Sequence, residues 1–155
     1  MHIHRLEKIW LQIGIGMLIL FLAITGVNAF AMGQQPPTGH HMIDPAKVKE
    51  TAPFDKPGLH KISENEYELV IIGYAFGYTP GEVEVPAGAK IRFTVTSSDV
   101  VHGFQIPNTA VNLMVVPGEV NHMTYTFKEP GDYLVLCNEY CGAAHEGMKM
   151  IIKVR

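Results

Sequence analysis

Lys90-Ile-Arg-Phe-Thr-Val-Thr96 decides the fold. Ile91, Phe93 and Val95 alternate with Arg92, Thr94 and Thr96, which is the two-residue period of a half-buried strand. Working outward, similar short runs occupy 67–74, 83–85, 112–116, 120–127, 133–136 and 149–154. Pro80-Gly81, Pro86-Ala87-Gly88, Pro117-Gly118 and Pro130-Gly131 punctuate them. No segment after residue 32 keeps a long helical period. Short strands at near-regular spacing predict a mainly β chain, an antiparallel β-sandwich with Greek-key connections.

The N-terminal part is unlike the rest. No charged residue occurs from Ile9 to Ile43, and Ile13 to Met32 is almost wholly apolar. A hydrocarbon core of about 30 Å takes roughly 20 helical residues, so this stretch is long enough to span. Ala29-Phe30-Ala31 has the form of a signal-peptide cleavage site. The apolar run, however, exceeds the ~7 to 15 residues of a signal h-region, and a retained transmembrane helix is the expectation. Arg5 and Lys8 precede the run and the next basic residue is Lys47, which predicts a cytoplasmic N-terminus and everything after the helix outside. Residues 33–62 hold five prolines between 33 and 57 and no sustained apolar period, and read as a linker over the membrane surface. The expected division is a 1–32 anchor, a 33–62 linker and a 63–155 domain. A net charge of −3, with no Lys/Arg run, excludes nucleic acid as a partner.

Both cysteines of the chain lie in Cys137-Asn-Glu-Tyr-Cys141-Gly-Ala-Ala-His145-Glu-Gly-Met148. A disulfide across so short a loop constrains the unfolded chain little and leaves His145 and Met148 unexplained. Zinc accepts thiolate and imidazole but does not account for the thioether. Thiolate, thioether and imidazole together suit copper, and His102, just after a predicted strand, supplies a second imidazole. A single copper would use His102, Cys141, His145 and Met148 and leave Cys137 over. Two coppers use every donor, with both sulfurs bridging, one histidine on each metal, Met148 capping one and a backbone carbonyl able to cap the other. Such a pair spreads one electron over two metals, so its geometry changes little on reduction.

Cys137, Glu139, Cys141, His145 and Met148, with His102 upstream, reproduce the pattern C-x-E-x-C-x3-H-x2-M. On these residues, and on Ala75-Phe76-Gly77-Tyr78 and Val116-Pro117-Gly118-Glu119, the chain resembles subunit II of haem-copper cytochrome c oxidases. The resemblance covers roughly 67–155. The single anchor resembles the short ba3-type branch, because the commoner branch carries two membrane helices. It implies a cupredoxin-like domain with a dinuclear copper-A centre bridged by Cys137 and Cys141. His102 and His145 would be terminal ligands, Met148 axial, and Glu139 a donor through its main-chain carbonyl. Magnesium is not expected in this branch. The implied role is electron entry to a terminal respiratory oxidase. Electrons come from cytochrome c or a small copper protein on the outer face of the cell membrane, and pass to haem in subunit I, where oxygen is reduced. Membrane lipid surrounds the anchor. A membrane-tethered mononuclear copper carrier and a copper-binding chaperone are the alternatives, whereas a quinol oxidase would lack these ligands.

Around this constellation, Asp99 is placed to orient the His102 ring, or else simply caps a turn. Phe76 and Tyr78 are candidates for a donor-docking edge, with at least one of them expected in the core. His60 in a loop and His122 on a strand face are expected to be structural, and His40 and His41 in the linker to be solvated rather than metal-bound. Met150 would face the same way as Met148, but the spacing from His145 favours Met148.

Overall fold

The computed structural model describes residues 4–31 and 38–155, and of 38–41 the backbone alone. It divides into two compact units, Met1–Pro36 and Pro37–Arg155.

In the first unit helix α1 runs Arg5–Phe30, 26 residues, or about 39 Å at 1.5 Å per residue. His4 caps it, its ring accepting from the Leu6 N–H at 3.4 Å. None of its side chains is buried, and large apolar residues lie exposed all round, from Leu6 and Trp10 to Phe30. A helix apolar on every face needs an apolar surrounding, and this one is long and apolar enough to cross a membrane.

The second unit is a two-sheet sandwich. Its strands are β1 (Thr38–Met42), β2 (Gly58–Ser63), β3 (Glu66–Tyr74), β4 (Gly77–Thr79), β5 (Glu82–Val85), β6 (Lys90–Ser97), β7 (His102–Gln105), β8 (Asn112–Val115), β9 (Glu119–Thr126), β10 (Gly131–Leu136) and β11 (Lys149–Val154). One sheet runs β1-β9-β6-β3-β2, with β4 on β3, and the other runs β5-β11-β10-β7-β8. The core between them gathers Leu69 and Ile71 of β3, Ile91, Phe93 and Val95 of β6, and Met150, Ile152 and Val154 of β11. Phe93 ties its aromatic part together, 5.5 Å from Phe104 and 6.4 Å from Phe127 between ring centroids.

The expected cupredoxin-like Greek-key sandwich is thus present, but its sheets are mixed rather than antiparallel. β3 pairs parallel with β6, and β5 with β11. The reason is the crossover: the chain leaves β3 and β4 for β5 in the other sheet and returns as β6 beside β3.

Of the segment expected as a linker, the described residues 38–62 are folded onto the sandwich. β1 pairs with β9, β2 pairs with β3, and a 3-10 helix at Pro45–Glu50 lies between them. Val48 and Phe54, each 1% exposed, pack with Ile43 on Val70, Ile72 and Val120, the other face of the first sheet. Burying side chains of this size stabilises by about 1.5–3 kcal/mol each. The segment is a strap, and it explains why Thr94 of β6 is buried where the alternation puts a polar face. Its hydroxyl donates to Glu68 at 2.7 Å, and that of buried Thr96 donates to the Glu119 carbonyl at 2.7 Å. His60 lies in β2, not in a loop, with Nε2 2.6 Å from the Lys56 carbonyl. His122 is on β9, 3.1 Å from the Thr94 hydroxyl. The side chains of His40 and His41 lie outside the described residues.

Candidate metal centre

The connection from β10 to β11 carries the cysteine loop. Its stem is closed by a backbone bond from the Cys137 N–H to the Met148 carbonyl, 3.4 Å, which sets Cys137 and Met148 side by side at the edge of the core. Gly142 turns the chain with φ 135°, a conformation open to glycine. A Cβ there would also lie 3.0 Å from the Phe76 ring. His145 opens a one-turn 3-10 helix, and the Met148 N–H returns to its carbonyl at 3.1 Å. The loop is wound so that its four donor side chains share one end of the sandwich.

There the structure sets His102, Cys137 and Cys141 within reach of one another, and puts His145 and Met148 against Cys141 and the Glu139 carbonyl against Cys137. Cys137 Sγ and Cys141 Sγ are 3.9 Å apart, and Cys141 Sγ is 3.5 Å from His145 Nδ1 and 3.6 Å from Met148 Sδ. The Glu139 carbonyl is 3.1 Å from Cys137 Sγ. One ligand atom each from His102, Cys137 and Cys141 lie within 4.8 Å of one another. The thiols are free, at nearly twice the ~2.05 Å of a disulfide. Met150, also buried, belongs to the core, whereas Met148 Sδ meets Cys141.

Two observations test whether this donor set fits a metal. His102 is fully buried, and among the described residues its Nδ1 is the buried side-chain nitrogen or oxygen left without a hydrogen-bond partner. An orphan of this kind is costly unless something else satisfies it. Burial, and then the neighbouring Cys137, push the Cys141 thiol up. Two close thiols resist joint ionisation on their own, and a bound cation removes that resistance. Soft sulfur beside imidazole is the donor chemistry of copper.

His102 is oriented from behind. Its Nε2 is 2.8 Å from Asp99 Oδ1, which also accepts the Val100 N–H at 2.6 Å, while Oδ2 takes the Ala75 N–H at 2.5 Å. Burial would raise the Asp99 carboxyl, but the bonds from His102, Val100 and Ala75 outweigh it and hold it below the usual carboxylate range. Asp99 therefore stays charged and fixes the tautomer that leaves Nδ1 as the open acceptor of the ring. Replacing Asp99 by Ala is expected to cost about 1–2 kcal/mol in stability and to weaken copper binding roughly tenfold. Thermal melting and competition with a copper chelator measure the two effects.

Tyr78 and Phe76 separate. Tyr78 is 2% exposed, its hydroxyl donating to the Gly103 carbonyl, and burial followed by the charge of Cys137 pushes its ionisation far above the ordinary tyrosine value. Phe76 is 41% exposed, and its φ of 72° is one that bulky residues seldom adopt. Two features were not read from the sequence. The Gly103 N–H donates to Cys137 Sγ at 3.3 Å, and the exposed Tyr140 ring lies 5.9 Å from that of His145. Both depend on contacts that no local pattern announces.

Comparison with known proteins agrees with this architecture. Residues 73–155 match the family described as cytochrome c oxidase subunit II, periplasmic domain. A cytochrome c oxidase subunit 2 of Thermus thermophilus is 39% identical over 153 residues, covering 96% of this chain and 91% of that one. A second Thermus thermophilus sequence of the same description is 43% identical over 115 residues, 73% of this chain and 85% of that one. These matches fit the short ba3-type branch. A chain of a haem-copper terminal oxidase dimer solved by cryo-electron microscopy superposes with a TM-score of 0.82 at 31% identity, covering 97% of this chain and 100% of that chain. With one spanning-length helix among its described residues, a two-sheet sandwich and convergent sulfur and imidazole side chains, this chain belongs to the family of cytochrome c oxidase subunit II, a component of haem-copper oxidases.

Proposed function

We propose that the chain is the electron-entry subunit of its oxidase and holds a dinuclear copper-A centre. The observation that carries this reading is the meeting of two thiols, two imidazoles and a thioether at one end of the sandwich. Cys137 and Cys141 would hold the centre through their sulfurs, His102 and His145 through imidazole nitrogens, Met148 through its thioether and Glu139 through its main-chain carbonyl. A copper pair bound there supplies one-electron transfer with little change of geometry. The protein's part is to keep the donors in place in both oxidation states. Strand β7, the closed loop stem and Asp99 do so by fixing His102, Cys137 and Met148 before any metal arrives.

Exposed apolar residues surround the site: Phe76 against Gly142, Tyr140 against His145, and Val100 and Val101 just before His102. This rim suits a donor, cytochrome c or a small copper protein, that docks by apolar contact. Its association should therefore change little with salt. Subunit I receives the electron for oxygen reduction. The positive charges of Arg5 and Lys8 before the apolar run support an N-terminus in the cytoplasm, α1 in lipid and the copper domain on the outer face of the cell membrane.

Electron paramagnetic resonance of the copper-loaded full chain in detergent tests the centre. Hyperfine structure from two equivalent copper nuclei sharing one unpaired electron supports it. A one-copper signal, with the second thiol free to alkylation, would sink it. Replacing Met148 by Leu should keep copper loading and the fold, since the swap conserves volume. It should raise the midpoint potential, because an electron-donating thioether no longer stabilises the oxidised metal. An unchanged potential would remove Met148 from the ligand set.

A further inference from the structure

We infer that Tyr78 is a positioning residue that latches Gly103 across the two sheets and so aims the Gly103 N–H at the Cys137 sulfur. Tyr78 belongs to β4, on the first sheet, and Gly103 to β7, on the second. Gly103 is held at both of its polar ends. Its carbonyl accepts the Tyr78 hydroxyl and its N–H donates to Cys137 Sγ at 3.3 Å. Glycine pivots more freely than any other residue, and Gly103 sits where a side chain has no room, so nothing of its own restrains it. The restraint comes from outside. The Tyr78 ring is itself fixed edge-on against Phe104, 5.7 Å between centroids at 89°, and is 2% exposed.

This inference rests on the copper reading for its electronic consequence. An N–H aimed at a metal-bound sulfur withdraws charge from it and favours the reduced centre, and hydrogen bonding around the cysteine sulfur is a known lever on copper potentials. Without the latch, the pairing of β7 with β8 is left to hold Gly103, the bond to Cys137 weakens, and the two sulfurs become less alike. The Tyr78 hydroxyl also lies near Cys137, but the bond it donates goes to the Gly103 carbonyl; Gly103 amide exchange in the metal-free chain separates the latch from a direct effect on the sulfur.

The test compares the full chain with Tyr78→Phe, which keeps the ring and removes the hydroxyl, and with Phe127→Leu, which loosens the same core away from Gly103. In the metal-free protein, Tyr78→Phe should speed amide exchange at Gly103 about tenfold, the loss of one hydrogen bond. In the copper-loaded protein it should keep the two-copper signal, lower the midpoint potential and alter the copper–sulfur stretching bands. Phe127→Leu should change none of these. Incorporation of 3-fluorotyrosine at position 78, a stronger donor, should move the potential the other way. Unchanged Gly103 exchange and potential in Tyr78→Phe, or equal shifts in Phe127→Leu, would overturn the inference. If the native chain shows no two-copper signal, the copper reading fails by itself, and Gly103 exchange in the metal-free chain still decides whether Tyr78 is the latch.

Discussion

Copper-loaded Cys141→Ser protein is expected to show no two-copper signal and to bind at most one copper. Cys141 Sγ is the hub of the site, within 3.9 Å of Cys137 Sγ, 3.5 Å of His145 Nδ1 and 3.6 Å of Met148 Sδ. A serine oxygen is harder than sulfur and a poor ligand for reduced copper. It leaves Cys137 as a lone thiolate beside a metal that cannot share its electron. Electron delivery should fall at least on the order of 100-fold, since even outer partners of a metal ligand are worth 10–100-fold. The fold should survive. Cys141 is only partly buried at the rim of the core, and the change is close to isosteric. Metal-free melting curves of the native and Cys141→Ser chains should therefore nearly coincide, within ~1 kcal/mol, while the spectra of the loaded proteins diverge. A persistent two-copper signal in Cys141→Ser would mean that the bridging assignment is wrong.

Much of this site was legible because its chemistry lies in one short stretch. Five candidate donor residues fall on a single motif, and His102 follows a strand whose alternation is plain. The seven strands read from the sequence all occur, since period-two runs between Pro-Gly turns need no tertiary knowledge. What was missed depends on contacts made at a distance. β7 is four residues long and carries His102 and Gly103, so locally it looks like a turn. The strap at 43–54 is built on Pro-rich sequence, and its burial is decided by Val70, Ile72 and Val120 on another element. Strand alternation says which face is buried but nothing of direction, so the parallel pairs β3–β6 and β5–β11 had no local signal. The roles of Phe76 and Tyr78 were open for a similar reason. They are two residues apart and aromatic, and only the packing shows that one faces solvent and the other the cysteines.

The substitution Gly103→Ala is expected to damage both the fold and the metal centre. A Cβ at Gly103 would fall 1.9 Å from Asn138 Oδ1, 2.9 Å from Asn138 Cγ and 2.7 Å from the Asn138 backbone N. The side-chain part of that clash can be relieved by a rotamer change, at the loss of the Asn138 bond to Asn112 Oδ1, 3.2 Å. The backbone part cannot. Asn138 follows Cys137, whose N–H closes the loop stem, so moving its backbone drags Cys137 away from the Gly103 N–H. The expected loss is roughly 3 kcal/mol or more, at the upper end for overpacking in a closed core. That corresponds to a fall of roughly 10 °C in Tm for a domain of this size. Because the clash has two parts, Asn138→Ala added to Gly103→Ala should restore only a fraction of the stability and should not return the native copper spectrum. Full rescue by the double variant would show that the Asn138 side chain alone excludes a methyl group at 103. In that case the backbone approach between β7 and the cysteine loop is not what holds the two halves of the ligand set in register.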